Sequence, residues 1–161
     1  NIVEIFVYKI SSILNENLVS RQQRQQINCL ETSQQQKPTF QIHQENNKYA
    51  LVDQKSNVGL CIFQDKQDNG AEIIADAGKH GSSWFEIVRA DKGPFAHKGY
   101  LIKTHAGNRC LDIAGGQAED GKKVLQYNIH ENGNQVWLIE PCNQGKKVGQ
   151  KQGNTNWIHK L

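Results

Sequence analysis

The residues best able to hold a metal or act as nucleophiles are four cysteines, at 29, 61, 110 and 142, and six histidines, at 43, 80, 97, 105, 130 and 159. Their spacing argues against both uses. No Cys-x-x-Cys pair occurs, so a zinc cluster has no support. The histidines show no ligand spacing and no carboxylate at a fixed interval; His130, three residues after Tyr127, reads as a loop residue, with a place on the rim of a binding pocket as the alternative. Asp65-Lys-Gln-Asp68-Asn69-Gly70 has some of the acids of a calcium loop but lacks the alternating oxygens and closing Glu, so it reads as a turn. No nucleophile elbow or phosphate loop is present. The chain is expected to be no enzyme, with no catalytic residues, no metal and no cofactor. Buried, reduced thiols are the expected state of the cysteines, which favours a reducing, cytoplasmic compartment, with a Cys110–Cys142 disulfide as the alternative.

Composition narrows the class further. The chain has 161 residues, a net charge of +3 and 22% charged residues. Its basic residues are spread thinly, unlike the clustered face of a nucleic-acid binder, so no nucleic-acid partner is expected. The most apolar stretch, Ile2 to Ile13, is interrupted by Glu4, Lys9, Ser11 and Ser12 and is too short for a membrane span. Leu, Ile, Val and Phe make up about 24% of the chain, enough to build a core. The low mean hydropathy of −0.69 comes largely from 18 Gln and 15 Asn. Most of these amides, including Gln22–Gln26 and Gln34–Gln36, read as drift in solvated loops. The chain starts at Asn1 and has no methionine, so it is expected to be a processed product or a segment of something longer.

The elements that would position any site come from internal repetition. Tyr49-Ala-Leu-Val, Gly59-Leu-Cys-Ile62, Asn69-Gly-Ala-Glu-Ile-Ile74 and Ser82-Ser-Trp84 recur as Tyr100-Leu-Ile-Lys, Cys110-Leu-Asp-Ile113, Asp120-Gly-Lys-Lys-Val-Leu125 and Gln135-Val-Trp137. A fainter copy runs through Tyr8-Lys-Ile10, Leu18-Val-Ser20, Ile27-Asn-Cys-Leu30 and Phe40-Gln-Ile42. Each block is short, rich in β-branched and aromatic residues, and bounded by turn residues, which is the pattern of a strand. One copy could not bury its apolar face alone, so three copies of about four strands must close on one another in an all-β, threefold arrangement. Trp84 and Trp137, at repeat-equivalent places, are expected core anchors. The repeats are drawn at about 1–47, 48–98 and 99–141, with 142–161 as a C-terminal extension whose apolar Trp157 must dock on something.

Cys110-Leu-Asp-Ile113, the turn at Gly121, Val124-Leu-Gln-Tyr127 and Asn134-Gln-Val-Trp137 together resemble one subdomain of a ricin B-type lectin. The resemblance is strong over Tyr100–Pro141, degraded over Tyr49–Arg89 and weak over Tyr8–Asn47. It implies a β-trefoil with Gln-x-Trp repeats and a shallow galactose-type pocket. By that resemblance Asp112 accepts hydrogen bonds from sugar hydroxyls, Tyr127 stacks on the ring, Asn134 donates to a hydroxyl and Gln135 holds Asp112. Leu125 departs from the family, many of whose members place a sugar-contacting Gln there. In the second repeat, Cys61, Asp76 and Gly81-Ser82 stand at the corresponding places; in the first, Val19, Thr39 and Phe40 do. Both sites read as erased. In secreted members of the family, the cysteine before Leu-Asp pairs with one placed here near Ile129, so Cys110 has no family partner.

Two functions follow. One is a carbohydrate-binding module with at most one sugar site, in the third repeat, carried in a larger chain. The other is a degenerate pseudo-lectin that serves as a structural, protein-interaction subunit of a multiprotein assembly.

Overall fold

The computed structural model describes residues 7–15, 18–23, 26–31, 39–76, 81–119 and 121–142, with the backbone alone over 18–31. The Trp157 tail and Gln34–Gln36 lie outside these residues. Twelve strands run in order among them. The first repeat contributes β1 (Val7–Ser12), β2 (Leu18–Gln23), β3 (Gln26–Glu31) and β4 (Phe40–Glu45). The second contributes β5 (Lys48–Asp53), β6 (Val58–Ile62), β7 (Ile73–Asp76) and β8 (Glu86–Arg89). The third contributes β9 (Tyr100–Lys103), β10 (Arg109–Ile113), β11 (Val124–Asn128) and β12 (Trp137–Cys142).

Six of the strands close a ring. β1 pairs with β4, β4 with β5, β8 with β9, β9 with β12, and β12 with β1, all antiparallel. The remaining link, β5 to β8, is a bridge between Tyr49 and Phe85, with mutual N–H to O bonds of 2.8 Å. Closure leaves these six strands without an open edge. The hairpins β2–β3, β6–β7 and β10–β11 form a triangular cap across one end, joined by the pairs Gln26↔Ile74 and Glu72↔Leu125. This is the threefold β-trefoil arrangement.

The threefold relation is visible in one pair per repeat. Tyr8 pairs with Phe40, Tyr49 with Phe85, and Tyr100 with Trp137, and all six side chains are buried in one core. Aromatic burial of this extent is worth several kcal/mol per ring pair. It also corrects the expected alignment. Phe85, 1% exposed, is the counterpart of Trp137, whereas Trp84 is only half-buried. The signature of the second repeat is therefore Ser82-Ser83-Trp84-Phe85, one residue later than expected. A second correction concerns the amides: Gln22 and Gln23 lie in β2 and Gln26 in β3, so they are strand residues rather than loop residues. Backbone pairing of a two-strand ladder is indifferent to side-chain polarity, which is how an amide-rich sequence can still form it.

The seam between the second and third repeats is polar. Gln126, fully buried on β11, donates through Nε2 to the carbonyls of Lys66 and Asp68 at 3.0 and 2.9 Å. Asn69 Oδ1 accepts from Arg109 Nε at 2.8 Å and from the Asn128 N–H at 3.1 Å. Lys123 and Glu72 add an exposed ion pair at 2.7 Å. These contacts tie the turn before β7 to the β10–β11 hairpin.

Candidate functional site

The alternation of β10 and β11 decides which side chains meet. Leu111 and Ile113 of β10 and Val124 of β11 enter the core, so Cys110, Asp112, Leu125 and Tyr127 share the opposite face. The register sets Cys110 across from Tyr127 and Asp112 across from Leu125. Tyr127 is thus the diagonal neighbour of Asp112, close enough for a long side chain to reach over. Its ring is 44% exposed, while Asp112 is 5% exposed.

Asn134 and Gln135 come from the 3-10 turn Gly133–Gln135 that leads into β12, and both are buried. Gln135 Nε2 donates to Asp112 Oδ2 at 2.9 Å and to the Asn128 carbonyl at 2.8 Å. Its Oε1 accepts the backbone N–H groups of His130 and Glu131 at 2.9 and 3.1 Å. Every hydrogen-bonding group of this amide is used, so its orientation is fixed. Asn134 Nδ2 donates to the Ile113 carbonyl at 3.2 Å, beside Asp112. Trp137 supports the same strand from the core, with Nε1 donating to the Leu111 carbonyl at 3.2 Å. Burial pushes the Asp112 carboxyl above its ordinary range, opposed by the Gln135 hydrogen bond, the His130 charge and the Asn134 hydrogen bond.

The structure therefore brings Asp112, Tyr127, Asn134 and Gln135 together, and it adds His130, for which a rim position was the alternative reading, and Glu131, which the sequence did not single out. His130 does have a carboxylate partner, contrary to expectation: Nε2 lies 3.6 Å from Asp112 Oδ2. Its Nδ1 accepts the Asn132 N–H at 3.1 Å, so the ring, when neutral, carries its hydrogen on Nε2. That hydrogen faces the site. Glu131, buried in the same loop, is the second. The prior signal for His130 was its place three residues after Tyr127; Glu131 had none.

The equivalent face of the second repeat has the same register, with Gly59 across from Asp76 and Cys61 across from Ile74. A cleft of about 410 Å³ persists there, lined by Cys61, Phe63, Asp65 and Asp76 among others. Its chemistry differs. Cys61 replaces the aspartate, and burial, with the nearby Asp76 and Asp65 charges, pushes its thiol up to about 11. Ser82 and Ser83 stand where Asn134 and Gln135 do, and Ser82 Oγ reaches only the backbone of Ile62, at 3.4 to 3.5 Å. In the first repeat, Val19 pairs with Leu30 in the β2–β3 ladder. Cys61, Cys110 and Cys142 are free thiols, so the alternative Cys110–Cys142 disulfide is not formed. Among the described residues, no group of three His, Cys, Asp or Glu side chains could hold a metal, and no helix is long and apolar enough to cross a membrane.

Comparisons with known proteins agree with this architecture. Residues 83–157 match the family described as ricin-type beta-trefoil lectin domain-like, so the resemblance to ricin B-type lectins holds over the third repeat. Comparison with curated proteins finds no match. The designed threefold-symmetric protein ThreeFoil superposes with a TM-score of 0.69 at 18% identity, covering 83% of this chain and 97% of that one. The Macrolepiota procera ricin B-like lectin, solved in complex with lactose, gives 0.72 at 17% identity, covering 87% and 98%. A mosquitocidal holotoxin gives 0.72 at 24% identity over 88% of this chain, which spans only 17% of the toxin. The chain has the β-trefoil fold that these structures share.

Proposed function

We propose that the third repeat binds carbohydrate, taking a galactose-type hexose at a single shallow site. The observation that supports this most is the placement of an exposed Tyr127 ring diagonal to a carboxylate whose orientation Gln135 fixes. A hexose has one face of C–H groups and a rim of hydroxyls. The Tyr127 ring stacks on the first, while Asp112 accepts from the second with the lone pairs that Gln135 leaves available. Asn134 and the Nε2 hydrogen of His130 supply donors beside that carboxylate. The match to the lectin family over residues 83–157, and the lactose bound by the Macrolepiota procera relative, support the same ligand class.

The first two repeats lack this set, so the chain has one site where a threefold lectin has three. A millimolar site supplies only about 4 kcal/mol. Such a module acts by tethering a larger molecule to a glycan surface, where avidity comes from other contacts. Its likeness to a small part of a holotoxin supports that use.

Titration of lactose and glucose into ¹⁵N-labelled protein tests the reading. Lactose is expected to shift the resonances of Tyr127, Asn134 and Gln135 with millimolar affinity. Asp112→Ala and Tyr127→Ala are expected to lose that response while keeping the fold. A wild-type spectrum that does not change at high millimolar lactose would overturn the carbohydrate site and favour the pseudo-lectin scaffold.

A further inference from the structure

Glu131 is a buried carboxylate, 6% exposed, in the loop that carries His130 and leads to Asn134. Its backbone is left-handed, with φ +61°, a conformation that costs a non-glycine residue on the order of 1 kcal/mol. Something must hold it there. The side chain crosses to the linker between the second and third repeats, where Oε1 accepts the backbone N–H groups of Asp91 at 2.9 Å and Lys92 at 3.3 Å. Hydrogen bonds from N–H groups to an ionised carboxylate are stronger than neutral ones and offset part of the cost of burial.

The linker also touches the loop directly. A Cβ added at Gly93 would lie 2.8 Å from the Glu131 carbonyl oxygen, so only glycine allows this approach. Phe95 of the same linker also meets the loop, its ring 2.8 Å from where a Cβ at Gly133 would lie.

From Glu131 the constraint passes to the site. The N–H groups of Glu131 and His130 both donate to Gln135 Oε1. An amide held by its oxygen must aim its nitrogen the opposite way, and here that direction is Asp112 Oδ2. We propose that Glu131 is the positioning residue of the third-repeat site, bolting the 129–135 loop to the inter-repeat linker and thereby orienting Gln135 and Asp112. The functional consequence rests on the carbohydrate reading, while the geometry is measurable without any sugar.

Two neutral variants separate position from charge. Glu131→Gln keeps an oxygen acceptor for Asp91 and Lys92, whereas Glu131→Ala removes it. The readouts are the Gln135 side-chain amide resonances and the titration of the Asp112 carboxyl carbon, with the Trp137 indole reporting the core. Relative to Glu131→Gln, the alanine variant is expected to broaden the Gln135 amide and to move the Asp112 titration to higher pH, as the compensating hydrogen bond loosens. Its lactose affinity is expected to fall at least tenfold, against a few-fold in the glutamine variant. Gly93→Ala, which presses on the same loop from the linker, is expected to broaden the same Gln135 signals. Should the alanine variant not fold, Gly93→Ala and Glu131→Gln carry the comparison against wild type. Wild-type Gln135 signals in Glu131→Ala, or in Gly93→Ala where the alanine variant does not fold, would overturn the role. If those signals move but wild type binds no lactose, the positioning role stands and the carbohydrate reading fails.

Discussion

Gln135 and Asp112 are joined side chain to side chain at 2.9 Å across 23 residues of sequence, and both are almost fully buried. The amide is the hinge pin between a hairpin strand and a barrel turn. It serves stability and the site with the same atoms.

Gln135→Ala is accordingly expected to be costly. It strands the N–H groups of His130 and Glu131 and removes both bonds made by Nε2. Buried groups left unpaired cost about 1–3 kcal/mol each, so the two N–H groups alone set an expected loss of about 2–6 kcal/mol in urea denaturation. Lactose binding is expected to disappear in the same variant.

Asp112 carries the opposite balance. Burial raises its carboxyl above the ordinary 3.8, so in the window between the two values the folded chain keeps a proton that the unfolded chain has released. Stability contributed by this group therefore falls as pH rises through that window, and its ionised form is a standing cost above it. Asp112→Asn keeps an oxygen for Gln135 and removes the charge. It is expected to raise the denaturation midpoint at neutral pH, to flatten the pH dependence across the window, and to abolish lactose binding. A variant less stable than wild type at neutral pH would contradict this.

The aromatic pairs make a direct comparison. Phe85→Ala is expected to cost about 3–5 kcal/mol, as for a fully buried ring, because it empties a core site beside Tyr49. Trp84→Ala is expected to cost about 1 kcal/mol, near the average for a point substitution, since its ring is only half-buried. Thermal melts of the two variants give the order.

Backbone conformation yields another comparison. Gln64 and Asp65 have φ of +53° and +52°, at the places where the third repeat has Gly115 and Gly116 with φ of +81° and +80°. Nothing lies within 4 Å of a Cβ at Gly116. Gly116→Ala is therefore expected to cost about 1 kcal/mol through the backbone alone. A chemical melt unchanged from wild type would show that the turn relaxes.

How far the sequence could be read depended on the range of the interaction. Hairpin register was legible, because the pairs Cys61↔Ile74 and Asp112↔Leu125 are both separated by 13 residues and the two cysteine–leucine blocks share one offset. Past the loop that precedes β8 the alignment slipped by one, since Trp84 draws the eye and Phe85 fills the space. The glutamines of β2 and β3 hid a ladder that backbone groups alone can build. At the site, Asp112, Tyr127, Asn134 and Gln135 were legible through a family pattern. His130 was legible only as the alternative reading, from its place three residues after Tyr127, and Glu131 was not, because its partners lie about 40 residues away and no local period marks it.

The pairing of β1 with β12 has a mechanical consequence. Val7 lies opposite Cys142 at the outer end of the ladder, and Ser12 opposite Trp137 at the inner end. A pull applied between these two strands at their outer ends loads the hydrogen bonds one pair at a time, from Val7–Cys142 inward. It peels them apart instead of shearing the whole ladder at once. Resistance at each moment is that of a single pair, so a closed barrel is expected to yield to small forces when drawn apart through β1 and β12.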